Sequence, residues 1–189
     1  MKKSLKRLAF LPAIFFRHGS FRPGSVQLPP HKHRVFINPD DERAFKKLVA
    51  DTARGRESQP MLFWRTHAEA YSDALLLDIG ANYGECAFNP TYAETQRCIA
   101  VEANPTLRTY LDQTHAAHPS RSRINVVSAL VGDSLVDEVP FSYNPGWTGG
   151  GSACEADPSA EGMVTVNLPQ MTLDAILDQL AVATDRTLI

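Results

Sequence analysis

Leu75-Leu76-Leu77-Asp78-Ile79-Gly80-Ala81-Asn82-Tyr83-Gly84 decides how this chain is read. An apolar run ends in an acid and passes into a loop bracketed by two glycines. That is the pattern of a buried parallel strand handing over to a ligand-cradling turn. Glycine at a strand end lets the backbone turn sharply and approach a ligand closely, because no Cβ intervenes. Eighteen residues beyond Gly84, a second apolar run, Cys98-Ile99-Ala100-Val101, ends in Glu102. Two parallel strands that finish in a glycine loop and an acid describe a crevice for an adenosine group, with the acid reaching both ribose hydroxyls.

The loop itself narrows the ligand. A dinucleotide fingerprint reads G-x-G-x-x-G, whereas this loop reads Gly80-x-x-x-Gly84 with Asp78 beside it. A carboxylate there repels a pyrophosphate, so a NAD-dependent oxidoreductase is the weaker reading. S-adenosyl-L-methionine suits the pattern better. Unpaired N–H groups at the start of the following helix would take its carboxylate, while its amino group and sulfonium favour nearby negative charge. The competing reading is an ordinary α/β turn on a non-catalytic relic or interaction module that reuses the scaffold.

The stretch LLLDIGANYGE is followed by CIAVEANP, INVVSALVGD and a late MTLDAIL. Together these resemble the FkbM-type family of S-adenosylmethionine-dependent methyltransferases over about residues 72–189. The resemblance implies an α/β fold, the Rossmann-like class I methyltransferase three-layer sandwich with sheet order 3-2-1-4-5-7-6, of which this chain holds only the N-terminal, cofactor half. By position, it implies that Asp78, Gly80, Ala81, Asn82 and Gly84 frame the methionine end of the cofactor and that Glu102 holds the ribose. Ala103 and Asn104 would flank the adenine, and Ser128, Ala129 and Leu130 would close its other side. The second motif departs from the family at Ala103, where a proline commonly follows the acid; the acid itself is kept. The implied activity is O-methylation of a hydroxyl on a small-molecule or glycan acceptor, such as a sugar or natural product. The family's K-x-D-x-E-G motif, which borders the transferring methyl, would follow Thr187-Leu188-Ile189, where the chain stops within an expected strand. No catalytic base can therefore be named, and the expectation is a truncated product that binds cofactor weakly and leaves a central strand as a bare edge.

Composition bounds the rest. The chain has 189 residues, enough for one domain with a substantial core. Nineteen Lys plus Arg against 21 Asp plus Glu give a net charge of −2, without the excess positive charge of a nucleic-acid footprint. Cys86, Cys98 and Cys154 are widely spaced with no C-x-x-C pair, so neither a metal nor a disulfide is expected, and reduced thiols point to a cytoplasmic protein. Residues 1–33 read as a tail and linker, 34–73 as a helical lead-in and 74–189 as the cofactor-binding domain. Within the tail, Lys2, Lys3, Lys6 and Arg7 precede a short apolar run from Leu8 to Phe16. That run is too short to span a membrane; it reads as a disordered or weakly helical tail, or as a peripheral foot on anionic lipid. His31-Lys32-His33 reads as merely exposed.

The local patterns predict a helix capped by Asn38 with Pro39 at its first position, running to Arg54 and stopping at Gly55, with Phe45, Leu48 and Val49 inward. A second helix is expected over Met61–Tyr71 with Phe63, Trp64 and His67 in the core. After Gly84 the proline in Asn89-Pro90 limits the helix to one or two turns, with a second short turn through Ala93 to Gln96. Asn104-Pro105 starts a helix reaching His115, Ile124–Val127 is a third strand, and Val139–Tyr143 and Met163–Leu168 are extended. Thr172 caps a helix burying Leu173, Ile176, Leu177 and Leu180. Asn144 to Ser152, with three consecutive glycines, reads as the most flexible segment, either a plain surface loop or an acceptor-side lid in which Trp147 covers the substrate and Ser152 hydrogen-bonds it.

Overall fold

The computed structural model describes residues 11–153 and 162–182. Its centre is a three-stranded parallel sheet in the order β3 (Leu75–Ile79), β4 (Arg97–Val101), β5 (Ile124–Val127), with β1 (Ser25–Leu28) and β2 (His33–Phe36) forming a separate antiparallel hairpin. Alternation along the central strands sends side chains into two layers. Leu76, Cys98, Ala100 and Ile124 face one layer with Met61, Trp64, Ala68, Leu107 and Leu111; Leu75, Ile99 and Val101 face the other with Ala129, Ile176 and Leu177. Both faces of the parallel sheet are thus covered, as an α/β fold requires. The expected strand at Thr187–Ile189 lies outside the described residues, as does Cys154.

A second sheet, in the order β6-β9-β7-β8, combines β6 (Leu130–Val131), β7 (Val136–Asn144), β8 (Trp147–Ser152) and β9 (Val164–Met171). The Asn144–Ser152 stretch, expected as the most flexible loop, is therefore a corrected reading. From Trp147 onward it is a strand, paired with β7 at Ser142↔Ser152 and Asn144↔Trp147. Ladder hydrogen bonds to β7 outweigh the poor strand preference of Gly149, Gly150 and Gly151.

The helices are α1 (Leu11–His18), α2 (Glu42–Ala44), α3 (Ala50–Ala53), α4 (Gln59–Ala70), α5 (Arg108–Ala117) and α6 (Leu173–Gln179). A π-helical turn over Phe45–Val49 joins α2 to α3, and Gly55 ends the unit at φ 67°. The cap is Asp41, not Asn38: its carboxylate accepts from Arg43 N at 2.8 Å. Asn38 instead accepts from Asp40 N at 3.0 Å in the turn before it, so Pro39 lies outside the helix. In α4, Ser58 caps and Met61, Trp64 and Ala68 point inward. Phe63 and His67 do not: Phe63 is 57 % exposed and its ring lies on His67 at 4.0 Å outside the core. Asn104 caps a 3₁₀ turn, Pro105–Leu107, that leads into α5, and Thr172 caps α6, both as the sequence suggests.

Three further expectations are overturned. Residues 17–33 are not a linker, because β1 and β2 form a hairpin whose Val26, Leu28 and Val35 are buried, and Phe36 N donates to Thr114 Oγ1 of α5 at 2.9 Å. The apolar run Val35-Phe36-Ile37 marks β2 in the sequence, whereas β1, set between Pro23-Gly24 and Pro29-Pro30, carries too little pattern to be seen. His33 is consequently not merely exposed: it accepts or donates at Thr91 Oγ1, 2.9 Å away, and packs edge-on against buried His118 at 4.5 Å. Nor does a helix follow the glycine loop. Residues 82–88 form consecutive turns closed by Gly84 N→Ala81 O and Phe88 N→Gly84 O, while Asp78 takes Ala87 N and Asn89 donates to Glu57. Tyr83, Ala87, Phe88 and Tyr92 fill the layer a helix would have occupied, and Trp64 Nε1 donates to Tyr92 OH at 2.9 Å. The second turn, Gln96 N→Ala93 O, is present.

Candidate functional site

The carboxyl ends of β3 and β4 open into two cavities. One, of about 420 Å³, is bordered by Gly80, Glu102, Ala103, Asn104, Ala129 and Leu130; the other, of about 490 Å³, by Asp78, Gly80, Ala81, Cys86 and Trp147 with Lys47 and Arg56 at its mouth. Arg43, Gly80, Asn82 and Gly149 border both. Such volumes suit a small ligand.

The wall between the cavities is a polar knot. Asn82 sits at φ 53°, a left-handed conformation that asparagine tolerates. Its side-chain oxygen accepts from Arg43 Nη1 at 2.8 Å and Tyr83 N at 3.0 Å, and its Nδ2 donates to Thr148 O at 3.1 Å. The Thr148 hydroxyl donates to Asp41 Oδ2 at 2.7 Å, and Tyr83 OH donates to the same oxygen at 2.9 Å. Arg43 Nη2 also donates to Glu85 at 2.9 Å, with both side chains largely shielded from water. The α2 start, the glycine loop and β8 are thereby tied at one point.

Arg43→Met is expected to cost about 2 kcal/mol, because it leaves the Glu85 carboxylate shielded and uncompensated. Urea unfolding would read the loss, and Glu85→Gln in the same chain should restore part of it.

Glu102 Oε1 accepts from Asn104 N and Oε2 from Asn82 N, both at 2.7 Å. Burial pushes its carboxyl above the usual range, while these main-chain donors hold it back. With Asn104, Asn82 and Ala103 all donating from the main chain, the carboxylate is oriented, and its two oxygens, with about four lone-pair sites between them, can still accept from a hydroxyl. Asp78 is pushed up to about 7, first by burial and then by the Glu85 carboxylate, with Ala87 N pulling the other way.

The loop's own amides are less open than the sequence implies. Gly80 N and Ala81 N both donate to Val101 O, Asn82 N to Glu102, Tyr83 N to Asn82 and Gly84 N to Ala81 O. Without a helix there is no free N-terminal turn to hold an anion. What the loop offers instead is open space: a Cβ built on Gly80 would meet nothing within 4 Å, and this glycine borders both cavities. No family model, curated protein or solved structure matches the chain.

The residues expected at the site divide three ways. Gly80, Asn82, Glu102, Ala103, Asn104, Ala129 and Leu130 meet around the smaller cavity, and Asp78, Ala81 and Trp147 join at the larger. Gly84, Ser128 and Ser152 border neither: Gly84 is buried beneath Phe88, Ser128 accepts from Arg108 on the surface at 3.0 Å, and Ser152 lies at the far end of β8 from Trp147. Arg43, Asp41 and Thr148 were not singled out in sequence. Their approach to Asn82 depends on packing across 39 to 66 residues of chain, which no local spacing encodes.

Proposed function

We propose that this chain is a Rossmann-like, S-adenosyl-L-methionine-binding methyltransferase domain that methylates a hydroxyl of a small-molecule or glycan acceptor. The reading is carried by Glu102, an oriented carboxylate at the end of β4 that shares a 420 Å³ cavity with Gly80, Ala103, Asn104 and Ala129. The adenosine would lie there, with both ribose hydroxyls donating to Glu102. The cofactor would then pass over bare Gly80 towards Asp78, whose carboxylate attracts an amino group or sulfonium and repels a pyrophosphate. The cation that would face the methionine carboxylate is Arg43, which borders both cavities and would share its guanidinium with Glu85, in place of the helix start the sequence suggested.

When bound, such a cofactor supplies an electrophilic methyl group. The remaining work of the chain is positioning: an acceptor in the larger cavity would lie beside Trp147 and be held facing Gly80. The lid of the sequence reading becomes a strand end, with Lys46 Nζ 4.9 Å from the centre of the Trp147 ring on its outer side.

Titration calorimetry with S-adenosylmethionine tests the assignment. Glu102→Gln is expected to weaken binding about ten- to a hundredfold, the loss of a charge-assisted pair of hydrogen bonds. NAD should not compete. Equal affinity for wild type and Glu102→Gln would remove the ribose assignment, and preference for NAD would replace the reading altogether.

A further inference from the structure

The amino-terminal helix carries a surface that the clefts do not explain. α1 is fixed to the domain by buried Ile14 and by His18 Nε2, 3.4 Å from Thr52 Oγ1. Its other side leaves Phe15 46 % and Phe16 88 % exposed, and Phe21, past the turn at Gly19, 51 % exposed. These rings form one cluster, Phe15–Phe21 at 4.9 Å and Phe15–Phe16 at 6.5 Å between centres. A contiguous group of bare phenylalanines marks a surface meant to be covered.

Charge identifies what covers it. The first 39 residues contain eight Lys or Arg and no Asp or Glu, whereas the rest of the chain carries 11 against 21. Close to the cluster, exposed Arg17 stands on α1 itself and Arg22 pairs with Asp40 at 2.7 Å on the surface. The Asp51–Arg54 pair, at 3.8 Å on α3 and its cap, cancels itself. Like-charged faces of two copies would repel one another. An anionic bilayer answers both features, accepting aromatic rings at its headgroup boundary and cations over its phosphates.

We propose that α1 is an interfacial foot: Phe15, Phe16 and Phe21 enter the headgroup boundary of an anionic bilayer, and the excess cations of the first 39 residues attract its anionic lipids. Among the described residues no helix is long and apolar enough to cross a membrane. The proposal is independent of the cleft.

Flotation of the full chain with phosphatidylcholine vesicles, with and without phosphatidylglycerol, tests it. Binding is expected only with the anionic lipid and should weaken as salt screens the cations. Phe16→Ser should reduce partitioning about tenfold and leave the thermal midpoint unchanged, because that ring touches little of the fold. Replacing Lys2, Lys3 and Lys6 by serine should weaken binding and its salt dependence together. The proposal is overturned if wild type does not float, or if Phe16→Ser floats as well as wild type. It is equally overturned if light scattering shows self-association that Phe16→Ser abolishes in a chain that ignores vesicles.

Discussion

Gly84→Ala is expected to destabilise the protein by about 3–5 kcal/mol, the sum of left-handed backbone strain and overpacking. Gly84 sits at φ +78°, and a Cβ there would lie 2.3 Å from Phe88 Cδ2, 2.5 Å from Phe88 Cε2 and 3.2 Å from Leu111 Cδ2. The Phe88 ring cannot yield easily. It is fully buried, with His118 5.7 Å and His115 6.5 Å away between ring centres. Gly80→Ala is the matched control, because φ is +81° but the added methyl meets nothing within 4 Å. It should cost only the backbone share, about 1–2 kcal/mol, while narrowing both cavities. Urea midpoints measured at one pH would separate the two, with Gly84→Ala the lower. Equal midpoints would mean that the Phe88 slot does not decide the cost.

The contrast also shows what a sequence can and cannot reveal about a glycine loop. Both glycines were visible as a turn, and both have positive φ. Only packing distinguishes the one that faces the cavities from the one that makes room for an aromatic ring four residues on. The first two parallel strands were legible because continuous apolar runs ending in turn residues have few other uses, and the third, Ile124–Val127, because β-branched residues dominate it despite Asn125. The loop after Gly84 was not, because Pro90 limits a helix without saying what replaces it; burial of Tyr83, Phe88 and Tyr92 supplies the answer. In α4 the inward stripe runs Met61, Trp64, Ala68 at helical spacing, and Phe63, about 100° round the helix from Trp64, falls off it on the exposed side. The polar knot was the least legible part. Asp41, Arg43 and Thr148 are ordinary residues in sequence, and they acquire meaning only where α2 and β8 meet Asn82.

That knot suggests how the site tolerates its own charge. Asp78, Glu85 and Glu102 share one region, yet only Glu85 faces a cation directly, while Glu102 leans on main-chain N–H groups. Asp78 has a single amide donor, Ala87 N at 3.2 Å, and is the least compensated of the three. Such a carboxyl destabilises the empty fold and favours a cationic ligand, the familiar opposition between stability and binding.

Asp78→Asn is therefore expected to stabilise the protein above pH 7 while removing the charge that the proposed cofactor's amino group or sulfonium would meet. With a folded pKa of about 7 against an ordinary 3.8, Asp78 contributes fully to stability below about pH 3.8. That contribution is lost as pH rises through 7, a change on the order of 4 kcal/mol. His118 acts in the opposite sense. Buried, with Ser120 N donating to its Nδ1 at 3.1 Å, it is held down to about 4 by burial and then by His33. Its contribution is complete above pH 6.5 and is lost as pH falls towards 4, a change of about 3 kcal/mol. Burial lowers His33 and His18 in the same direction, whereas Glu102 sides with Asp78. The two opposed slopes occupy one window, so wild-type stability should be nearly flat between about pH 4.5 and 6.5. Asp78→Asn removes one of them, and its unfolding free energy should rise across that window by about 2–3 kcal/mol. At pH 8 the variant should exceed wild type by about 2 kcal/mol, since the new amide hydrogens lack partners and forfeit part of the gain. Denaturant unfolding at a series of pH values reads both outcomes, and His118→Gln should tilt the curve the other way, falling as pH rises. A curve for Asp78→Asn parallel to wild type would show that the carboxyl ionises in the fold as freely as in water, and the charge argument for a cationic cofactor would fall with it.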